Sequence, residues 1–292
     1  MEEKIYLNGS LMPSSEARIS VFDHGFLYGY GLFETMRAYN GKIFLLQRHI
    51  KRLLDSAEAI GLADSLAGFD LEQACRETLE ANGLEDARLR LTVTNGEADT
   101  LPWAGDTGAP TIVITARPYK PLSEEKYNQG YKVRLASLRR CRQSALSRIK
   151  STSYITSVLA RMEAAAHGMD EALILNEDGF IAEGGGCNMF FVKSSRLVTP
   201  SLGSGILPGI TRDAVIELAG ELDIIVTEGT VGLSVIKQCD EAFVTGSMIE
   251  IMPLTAAGDE SGQTLTIGSG KPGGITTQLM AAYKEMVAGE TG

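Results

Sequence analysis

The sequence predicts an α+β fold with two domains. Segments with helical spacing of apolar residues and short segments with strand alternation are mixed along the chain, without the strict strand–helix alternation of a parallel α/β sheet. The 292 residues suffice for one large or two medium domains, and 44% of them are hydrophobic, enough for a sizeable core. Pro118, Pro121 and a charged run break the pattern and predict a junction that divides the chain into 1–120 and 121–292.

The first predicted domain combines strands with two helices. Apolar residues at helical spacing over 46–60, followed by Gly61, predict a helix with a glycine after its end. Strict alternation over 88–94 predicts a strand with Arg88 and Arg90 on one face and apolar residues on the other. The other predicted elements are strands at 4–8, 42–45 and 111–117 and a helix at 70–82.

The second predicted domain is also mixed. A helix at 153–167 follows a short polar segment, and a helix at 211–222 follows a glycine-bearing loop. An Asp178-Gly179 pair predicts a turn between two strands. The remaining predicted elements are strands at 131–137, 171–176, 187–193, 224–228 and 241–246 and a helix at 273–287.

Composition excludes several classes of protein. The net charge of −10 argues against a nucleic-acid partner, because neutralising phosphates requires a basic face. The four cysteines lack CxxC spacing and a histidine cluster, so no metal site is expected. The N-terminus does not read as a signal peptide, and no apolar run is long enough for a membrane span. We therefore expect a soluble cytoplasmic enzyme.

Lys150 is the first candidate for chemistry. It lies in the segment Ile149-Lys150-Ser151-Thr152-Ser153-Tyr154, just before the predicted 153–167 helix. A lysine with suitable neighbours can form a Schiff base with a carbonyl compound. Taken alone, a lysine in such a segment is more often a solvated surface residue.

Glu183 is the second candidate. It precedes three glycines, Gly184, Gly185 and Gly186, whose backbone could approach a flat ligand closely. A carboxylate there could pair with a pyridinium nitrogen. The plain alternative is a tight turn with an exposed glutamate.

Three further segments suit a phosphate. The loop 205–212 opens a helix whose N-terminal N–H groups could bind an anion. Arg52 lies three residues after His49 and could clamp a phosphate with two hydrogen bonds. The Thr245-Gly246-Ser247 turn could present backbone N–H groups and the Ser247 hydroxyl. Each segment also has an ordinary structural explanation. In the same order, these are the start of a helix, a solvated stripe of basic residues and a hairpin turn.

Together and in this order, the segments resemble the class IV aminotransferases. These fold-type IV pyridoxal phosphate (PLP) enzymes include branched-chain aminotransferases, D-amino-acid transaminases and aminodeoxychorismate lyases. The step of 33 residues from Lys150 to Glu183 (183 − 150) also fits the family. The matching segments cover nearly the whole chain: FDHGFLYGYGLFETMR (22–37), HIKRL (49–53), IKSTSY (149–154), EALILNEDGFIAEGGGCNMF (171–190), GILPGITRDAV (205–215) and FVTGSMIEIMP (243–253).

The resemblance implies a fold and an assembly. It implies a small N-terminal α/β domain and a larger C-terminal pseudo-barrel domain, with PLP between them. It also implies a homodimer in which N-terminal residues of one subunit approach the pocket of the other.

The resemblance further implies residue roles. Lys150 matches the catalytic lysine that binds PLP and moves a proton between the substrate Cα and the cofactor. Glu183 matches the partner of the ring nitrogen, Tyr154 matches a contact to the phenolic oxygen, and Leu207 matches a residue that packs on the ring. The phosphate ligands that it implies are Arg52, Ile210, Thr211 and Ser247. Substrate contacts are expected from Tyr28, Phe33, Arg37, Arg90 and Met248, with Tyr39 and Trp103 as further pocket candidates.

The motifs identify the family more clearly than they identify the reaction. Thr35 replaces a glycine that branched-chain enzymes carry, and residues 22–37 resemble the lyases at least as closely. Arg90 matches a carboxylate-binding arginine of branched-chain enzymes, whereas Arg88 replaces their tyrosine and either lines the pocket or is solvated at a sheet edge. Gly246 before Ser247 favours a transaminase, since lyases often have asparagine there.

We therefore expect a transaminase that moves the amino group of branched-chain or related aliphatic L-amino acids to 2-oxoglutarate. An aminodeoxychorismate lyase that releases pyruvate and 4-aminobenzoate is the first alternative. A D-amino-acid transaminase is the second. It is disfavoured because those enzymes typically have an Arg-x-His pair in the 90s–110s region, and no histidine lies between His49 and His167 here. The non-enzyme alternative is a silent PLP-binding dimer that serves as a scaffold.

Overall fold

The chain divides into two compact units that are not continuous in sequence. The computed structural model describes residues 2–102, 108–259 and 263–292. The first unit comprises Met1–Lys120, Ile149–Ser153 and Val287–Gly292, and the second comprises Pro121–Arg148 and Tyr154–Met286. Lys150 thus belongs to the first unit. The division into domains 1–120 and 121–292 stays a proposal.

The first unit contains a six-stranded antiparallel sheet in the order β2-β1-β6-β5-β3-β4. Its helices α2 and α4 pack on the sheet. The strands are β1 (Lys4–Leu7), β2 (Ser10–Pro13), β3 (Gly31–Tyr39), β4 (Lys42–Ile43), β5 (Ala87–Thr94) and β6 (Thr111–Pro118). The helices are α1 (His24–Tyr28), α2 (Leu46–Ala59), α3 (Ala63–Leu66) and α4 (Leu71–Ala81).

Alternation along β5 separates the two faces of this sheet, as predicted. Leu89, Leu91 and Val93 are buried in the core under the helices, whereas Arg88 and Arg90 are exposed on the opposite face, which we call the open face. β5 lies between β6 and β3. Arg88 is therefore on an interior strand and not at a sheet edge.

The segment Ile149–Ser153 extends this sheet along β3. Ser151 forms a β-bridge with Leu32, and the Phe33 N–H donates to the Lys150 carbonyl at 2.9 Å. Ile149 is buried in the core of the first unit. Because residues opposite each other across a bridge point the same way, this pairing places Lys150 beside Phe33.

The second unit is built on a long mixed sheet in the order β12-β11-β10-β14-β15-β7-β8-β9-β13, with β16 paired to β15. Contacts of β9 and β13 with β11 bring the ends of the sheet together into a nearly closed barrel. Its strands are β7 (Tyr131–Arg140), β8 (Glu171–Asn176), β9 (Phe180–Gly184), β10 (Asn188–Lys193), β11 (Arg196–Pro200), β12 (Val226–Gly229), β13 (Val231–Gly232), β14 (Glu241–Gly246), β15 (Glu250–Gly258) and β16 (Thr264–Thr266). Its helices are α5 (Glu124–Gln129), α6 (Ile155–Ala166), α7 (Ile210–Glu221), α8 (Val235–Gln238) and α9 (Gly274–Thr291), of which the last turn, from Val287, belongs to the first unit.

The α+β fold class is confirmed, and most predicted elements occur within a few residues of their expected bounds. The sequence did not predict β3, β9 or β15. In β3 both faces are buried, and Glu34 and Arg37 interrupt its apolar residues, so the alternation that marks a half-buried strand is lost. In the described part of the chain, no helix has the length and hydropathy needed to cross a membrane.

Candidate active site

Lys150 lies beside an aromatic ring and near a guanidinium group. Its Nζ is 4.6 Å from the centroid of the Phe33 ring, and the Arg90 Cζ is 3.9 Å from the same centroid. The Arg90 Nε also donates to Thr92 Oγ1 at 3.2 Å. An amine, an apolar surface and a carboxylate-binding group are thus adjacent within the first unit.

A buried ionic cluster lies on the helix side of β3. The Glu34 carboxylate is fully buried and accepts two hydrogen bonds from Arg52, from Nε at 2.8 Å and from Nη2 at 2.6 Å. His49 Nδ1 lies 2.7 Å from Glu34 Oε2. His49 and Arg52 are on one face of α2, one turn apart, so a single carboxylate reaches both. The sequence analysis did not identify Glu34. A carboxylate at a core-facing position of a strand must have a charged or hydrogen-bonding partner, and this requirement could have revealed it.

The charges in this cluster are strongly coupled. Burial alone would raise the pKa of Glu34, but Arg52 and His49 lower it to about 2. Burial lowers the pKa of His49, and the positive charges of Arg52 and Lys150 act in the same direction. At neutral pH the cluster therefore holds an ionised Glu34–Arg52 pair and a neutral His49. Arg52, which the sequence predicted as a phosphate ligand, is fixed in place by this pair.

Glu183 ends β9 in the second unit and is also buried. Its Oε1 lies 2.7 Å from Arg140 Nη1, and its Oε2 accepts the Leu207 N–H at 2.9 Å. The Asn188 Nδ2 is 3.4 Å from the same Oε2 and donates to the Leu207 carbonyl at 2.9 Å. These contacts orient the carboxylate. Arg140 and Asn188 are positioning residues that the sequence analysis did not identify.

The glycines after Glu183 form the turn between β9 and β10. The Gly185 N–H donates to the buried Glu171 carboxylate at 3.1 Å, and the Tyr154 hydroxyl donates to the Gly185 carbonyl at 3.0 Å. A Cβ atom at position 185 would overlap the side chain of Arg161. Glycine is therefore required, because side chains pack directly on the turn.

Two ionisable side chains that contact the turn, Tyr154 and Glu171, have pKa values that are shifted by burial. Burial raises the pKa of the Tyr154 hydroxyl and the pKa of the Glu171 carboxyl. Tyr154 is thus a protonated donor at neutral pH. It precedes α6 and is half-buried.

Helix α7 begins without a side-chain cap. Gly209 is its N-cap residue, and Ile210 and Thr211 form its buried first turn. A Cβ at Gly209 would lie 1.9 Å from Asn188 Oδ1, so Asn188 excludes the serine, threonine or aspartate that usually caps a helix. The first N–H groups of the helix are left for another acceptor, and the helix dipole favours an anion there.

The hairpin between β14 and β15 holds Ser247 and Met248 in a tight turn. The Ile249 N–H donates to the Gly246 carbonyl at 3.1 Å. Thr245, just before the turn, is opposite Asn188 on β10. Its Oγ1 is buried and has no hydrogen-bond partner among the described residues. A polar ligand or solvent molecule would satisfy it.

The remaining predicted residues are distributed over both units. Phe33, Arg37 and Arg90 share the open face of the first sheet. Tyr28 ends α1 and is half-exposed, and Leu207 is half-buried in the loop before α7. Trp103 lies outside the described residues.

These residues fit the chemical needs of PLP. The first unit supplies a lysine beside an aromatic ring, and the second supplies a buried carboxylate, an uncapped helix N-terminus and an unsatisfied hydroxyl. A lysine binds the aldehyde, a carboxylate suits the pyridinium nitrogen, and an uncapped helix N-terminus suits the phosphate.

Comparison with known proteins identifies the family. Residues 31–257 match the family described as amino-transferase class IV. A protein of Methanocaldococcus jannaschii, provisionally named as a branched-chain-amino-acid aminotransferase, is 40% identical over 284 residues, which are 97% of this chain and 96% of that protein. The aminodeoxychorismate lyase of Bacillus subtilis is 34% identical over 285 residues, 97% of this chain and 94% of that protein.

Solved structures agree. The branched-chain amino acid aminotransferase of Escherichia coli has a TM-score of 0.88 and 31% identity, with coverage of 100% of this chain and 97% of that one. The branched-chain amino acid aminotransferase of Thermobaculum terrenum, solved in its PLP form, has a TM-score of 0.85 and 31% identity, with coverage of 99% and 95%. The chain therefore belongs to the class IV aminotransferases and is a PLP-dependent aminotransferase.

Proposed function

We propose that this enzyme moves the amino group of branched-chain and related aliphatic L-amino acids to 2-oxoglutarate. The observation that carries the proposal is the Phe33 ring, whose centroid lies 4.6 Å from the Lys150 Nζ and 3.9 Å from the Arg90 Cζ. An aliphatic side chain can pack on the ring while the guanidinium binds a carboxylate. The names of the relatives support it, as do solved neighbours complexed with 4-methylvaleric acid and with N-(5'-phosphopyridoxyl)-L-glutamate.

We propose that the chain binds PLP through the following residues. Lys150 binds it covalently, Glu183 holds the proton on its ring nitrogen, Tyr154 contacts its phenolic oxygen and Leu207 packs on its ring. The proposed phosphate ligands are Arg52, Ile210, Thr211 and Ser247. When bound, PLP supplies an electron sink for the electron pair left at the substrate Cα.

The protein residues perform the proton and substrate steps. Once the substrate amine has displaced it from PLP, the Lys150 Nζ would take the proton that leaves the substrate Cα and carry it to the site of reprotonation. The Glu34 carboxylate keeps Arg52 in position for the phosphate, since it takes two hydrogen bonds of the guanidinium. Substrate contacts are proposed for Tyr28, Phe33, Arg37, Arg90 and Met248.

Lys150→Ala tests the proposal. With leucine and 2-oxoglutarate, turnover should fall by about 10,000-fold, because the proton carrier is lost. Borohydride reduction followed by peptide mass spectrometry should find the cofactor on Lys150 in the wild-type protein. Lys51→Ala, which removes an exposed lysine of α2, is the control and should keep full turnover.

The same assay separates the alternatives. Formation of 4-aminobenzoate from aminodeoxychorismate, without turnover of leucine, would make the protein a lyase. Turnover of D-leucine in preference to L-leucine would make it a D-amino-acid transaminase. Cofactor binding without any turnover would leave a scaffold.

We also propose a homodimer. Four apolar residues of the first unit are largely exposed: Ile19 (55%), Val21 (64%), Phe22 (62%) and Phe26 (70%). In the second unit, α6 exposes Ile155 (65%) and Met162 (61%). Large exposed apolar side chains that cluster within one segment or along one helix usually mark an interface.

Light scattering coupled to gel filtration tests the homodimer. The wild-type protein should elute as a dimer, and Phe26→Asp should elute as a monomer. Leu202→Asp, at an exposed apolar residue outside these patches, should remain a dimer. A monomeric wild-type protein contradicts the proposal.

A cytoplasmic location is proposed from the cysteines. Cys75, Cys141, Cys187 and Cys239 are all free thiols. Unpaired thiols are typical of reducing compartments. Cell fractionation with an antibody against the protein would test this, and recovery in the secreted fraction would contradict it.

A further inference from the structure

Helix α1 is too short to be stable alone, and it is attached to the end of β5. A helix of five residues has too few internal hydrogen bonds to persist in isolation. The Asp23 carboxylate caps it by accepting the Gly25 N–H at 2.7 Å, and it also accepts the Thr94 hydroxyl at 2.9 Å. The His24 N–H donates to the Gly96 carbonyl at 2.9 Å. The backbone of α1 is therefore fixed to β5 and to the residues that follow it.

The side chain of His24 adds a buried contact to this attachment. It is 2% exposed, and its Nδ1 lies 3.0 Å from the Asn95 amide Nδ2 in a hydrogen bond. Asn95 is 1% exposed, and its side chain makes no other hydrogen bond among the described residues, since its Oδ1 has no partner there. Breaking the bond to His24 would leave a buried amide without any partner, which costs free energy. His24 and Asn95 therefore hold each other in one orientation.

Tyr28 contacts this pair through the His24 ring. The two ring centroids are 5.3 Å apart and the ring planes make an angle of 78°, which is an edge-to-face arrangement. The Tyr28 side chain is 49% exposed. Within residues 2–102, 108–259 and 263–292 it makes no hydrogen bond, and the His24 ring is its one aromatic contact. The orientation of the Tyr28 ring therefore depends on His24.

We infer that His24 and Asn95 are positioning residues that hold Tyr28 in the orientation in which it contacts the substrate. The inference rests on the proposed function, in which Tyr28 is a substrate contact. Asn95 fixes His24 by a hydrogen bond, and His24 fixes the tyrosine ring by its edge-to-face contact. A half-exposed ring without such a contact samples several rotamers, and ordering it when the substrate binds lowers the affinity.

His24→Leu tests the inference in the holoenzyme. The new side chain fills the buried space, but it offers no ring edge to Tyr28 and no hydrogen bond to Asn95. With 2-oxoglutarate as acceptor, the KM for L-leucine should rise about 10-fold while kcat changes less than about 2-fold, because the orientation of the ring affects binding and not the proton transfer. His24→Phe restores an aromatic partner and should recover part of the affinity. His167→Leu, at an exposed histidine after α6, is the control and should change neither constant.

A double-mutant cycle with Tyr28→Leu shows whether the effect of His24 passes through the tyrosine. The KM for L-leucine should already be raised in Tyr28→Leu, and adding His24→Leu should raise it no further. A residue that only stabilises the fold would act in both backgrounds. If His24→Leu raises the KM by the same factor with and without Tyr28, the inference is refuted.

Fluorine NMR of the holoenzyme, with 3-fluorotyrosine incorporated at position 28 alone, gives a reading without turnover. The wild-type protein should show one resonance displaced from that of free 3-fluorotyrosine, because the ring is held against His24. The resonance should move towards the free value in His24→Leu. It should move less far in Asn95→Ala, which keeps the His24 ring and removes only its hydrogen bond.

An unchanged resonance in His24→Leu, or a wild-type resonance already at the free value, would overturn the inference. If Tyr28→Leu leaves the KM for L-leucine unchanged, the proposed substrate contact fails instead. The fluorine spectra then still decide whether His24 holds the ring.

Discussion

Glu34 and Glu183 are two buried glutamates with an arginine partner, and they differ in what surrounds the rest of the carboxylate. At Glu34, Arg52 takes both oxygens and His49 adds a third contact. At Glu183, one oxygen contacts Arg140, while the other accepts the Leu207 N–H and lies near the Asn188 amide.

The difference indicates that a buried glutamate with an arginine partner has a different role at each of the two positions. The Glu34 carboxylate lies between β3 and α2 and holds a cation in the core, so its loss should affect folding first. The Glu183 carboxylate lies at a strand end next to a glycine turn, where Arg140, Asn188 and the Leu207 N–H orient it, and its proposed partner is the ring nitrogen of PLP. Its loss should affect turnover first.

Glu34→Gln should cause the largest loss of stability. Arg52 would keep a buried charge without its counter-ion, and breaking a buried pair in this way costs about 4 kcal/mol. Urea unfolding of the holoenzyme measures it. Glu3→Gln removes the carboxylate from an exposed forked pair with Arg117 and should cost less than about 1 kcal/mol. Equal losses in the two variants would mean that burial does not distinguish these pairs.

The stability contributed by Glu34 should depend on pH. Its pKa is about 2 in the folded protein against a usual 4.5, so its contribution is complete above about pH 4.5 and is lost as the pH falls towards 2. Between about pH 4.5 and pH 2, the free energy of unfolding of the wild type should fall by about 3 kcal/mol relative to that of Glu34→Gln. Urea unfolding at several pH values tests this. A difference between the two proteins that stays constant down to about pH 2.5 would contradict the assigned pKa.

Glu183→Gln should lower turnover with a small effect on folding. The amide cannot hold a proton on the ring nitrogen as a carboxylate does, and losing such an electrostatic contact costs about 100-fold in kcat, about 2.7 kcal/mol. Steady-state kinetics and the absorbance of the bound cofactor would be followed together. Unchanged kcat with a lowered unfolding midpoint would assign Glu183 the role that we give to Glu34.

Gly209→Ala should have the smallest of these effects. It should lower the free energy of unfolding by about 2 kcal/mol, because the new Cβ would overlap Asn188 Oδ1. PLP affinity should weaken as well, since Asn188 and the start of α7 must move apart. Gly220→Ala in the same helix is the control. Apart from the backbone of the helix itself, no described atom lies within 4 Å of a Cβ there, and alanine should stabilise the helix by about 0.5–1 kcal/mol. Equilibrium dialysis of PLP and thermal unfolding would show the contrast, and equal behaviour would argue against a special helix start.

Much of the fold could be predicted from the sequence, and the proposed site residues could be selected from it, because both depend on local patterns. Helical spacing gave α2, α4, α6 and α7 nearly at their observed bounds, and strict alternation placed Arg88 and Arg90 on one face of β5. The order of short motifs along the chain pointed to Lys150, to Glu183 and to the family.

Only the tertiary structure decided which residues are neighbours. Alternation assigns a residue to a face of a strand, but it does not say which strand lies beside it or in which register. The pairing of Glu34 with Arg52, the contact of Glu183 with Arg140 and the hydrogen bond between His24 and Asn95 all join residues distant in sequence. Their identity was visible in the sequence, whereas their partners depended on sheet order and packing, which no local pattern specifies.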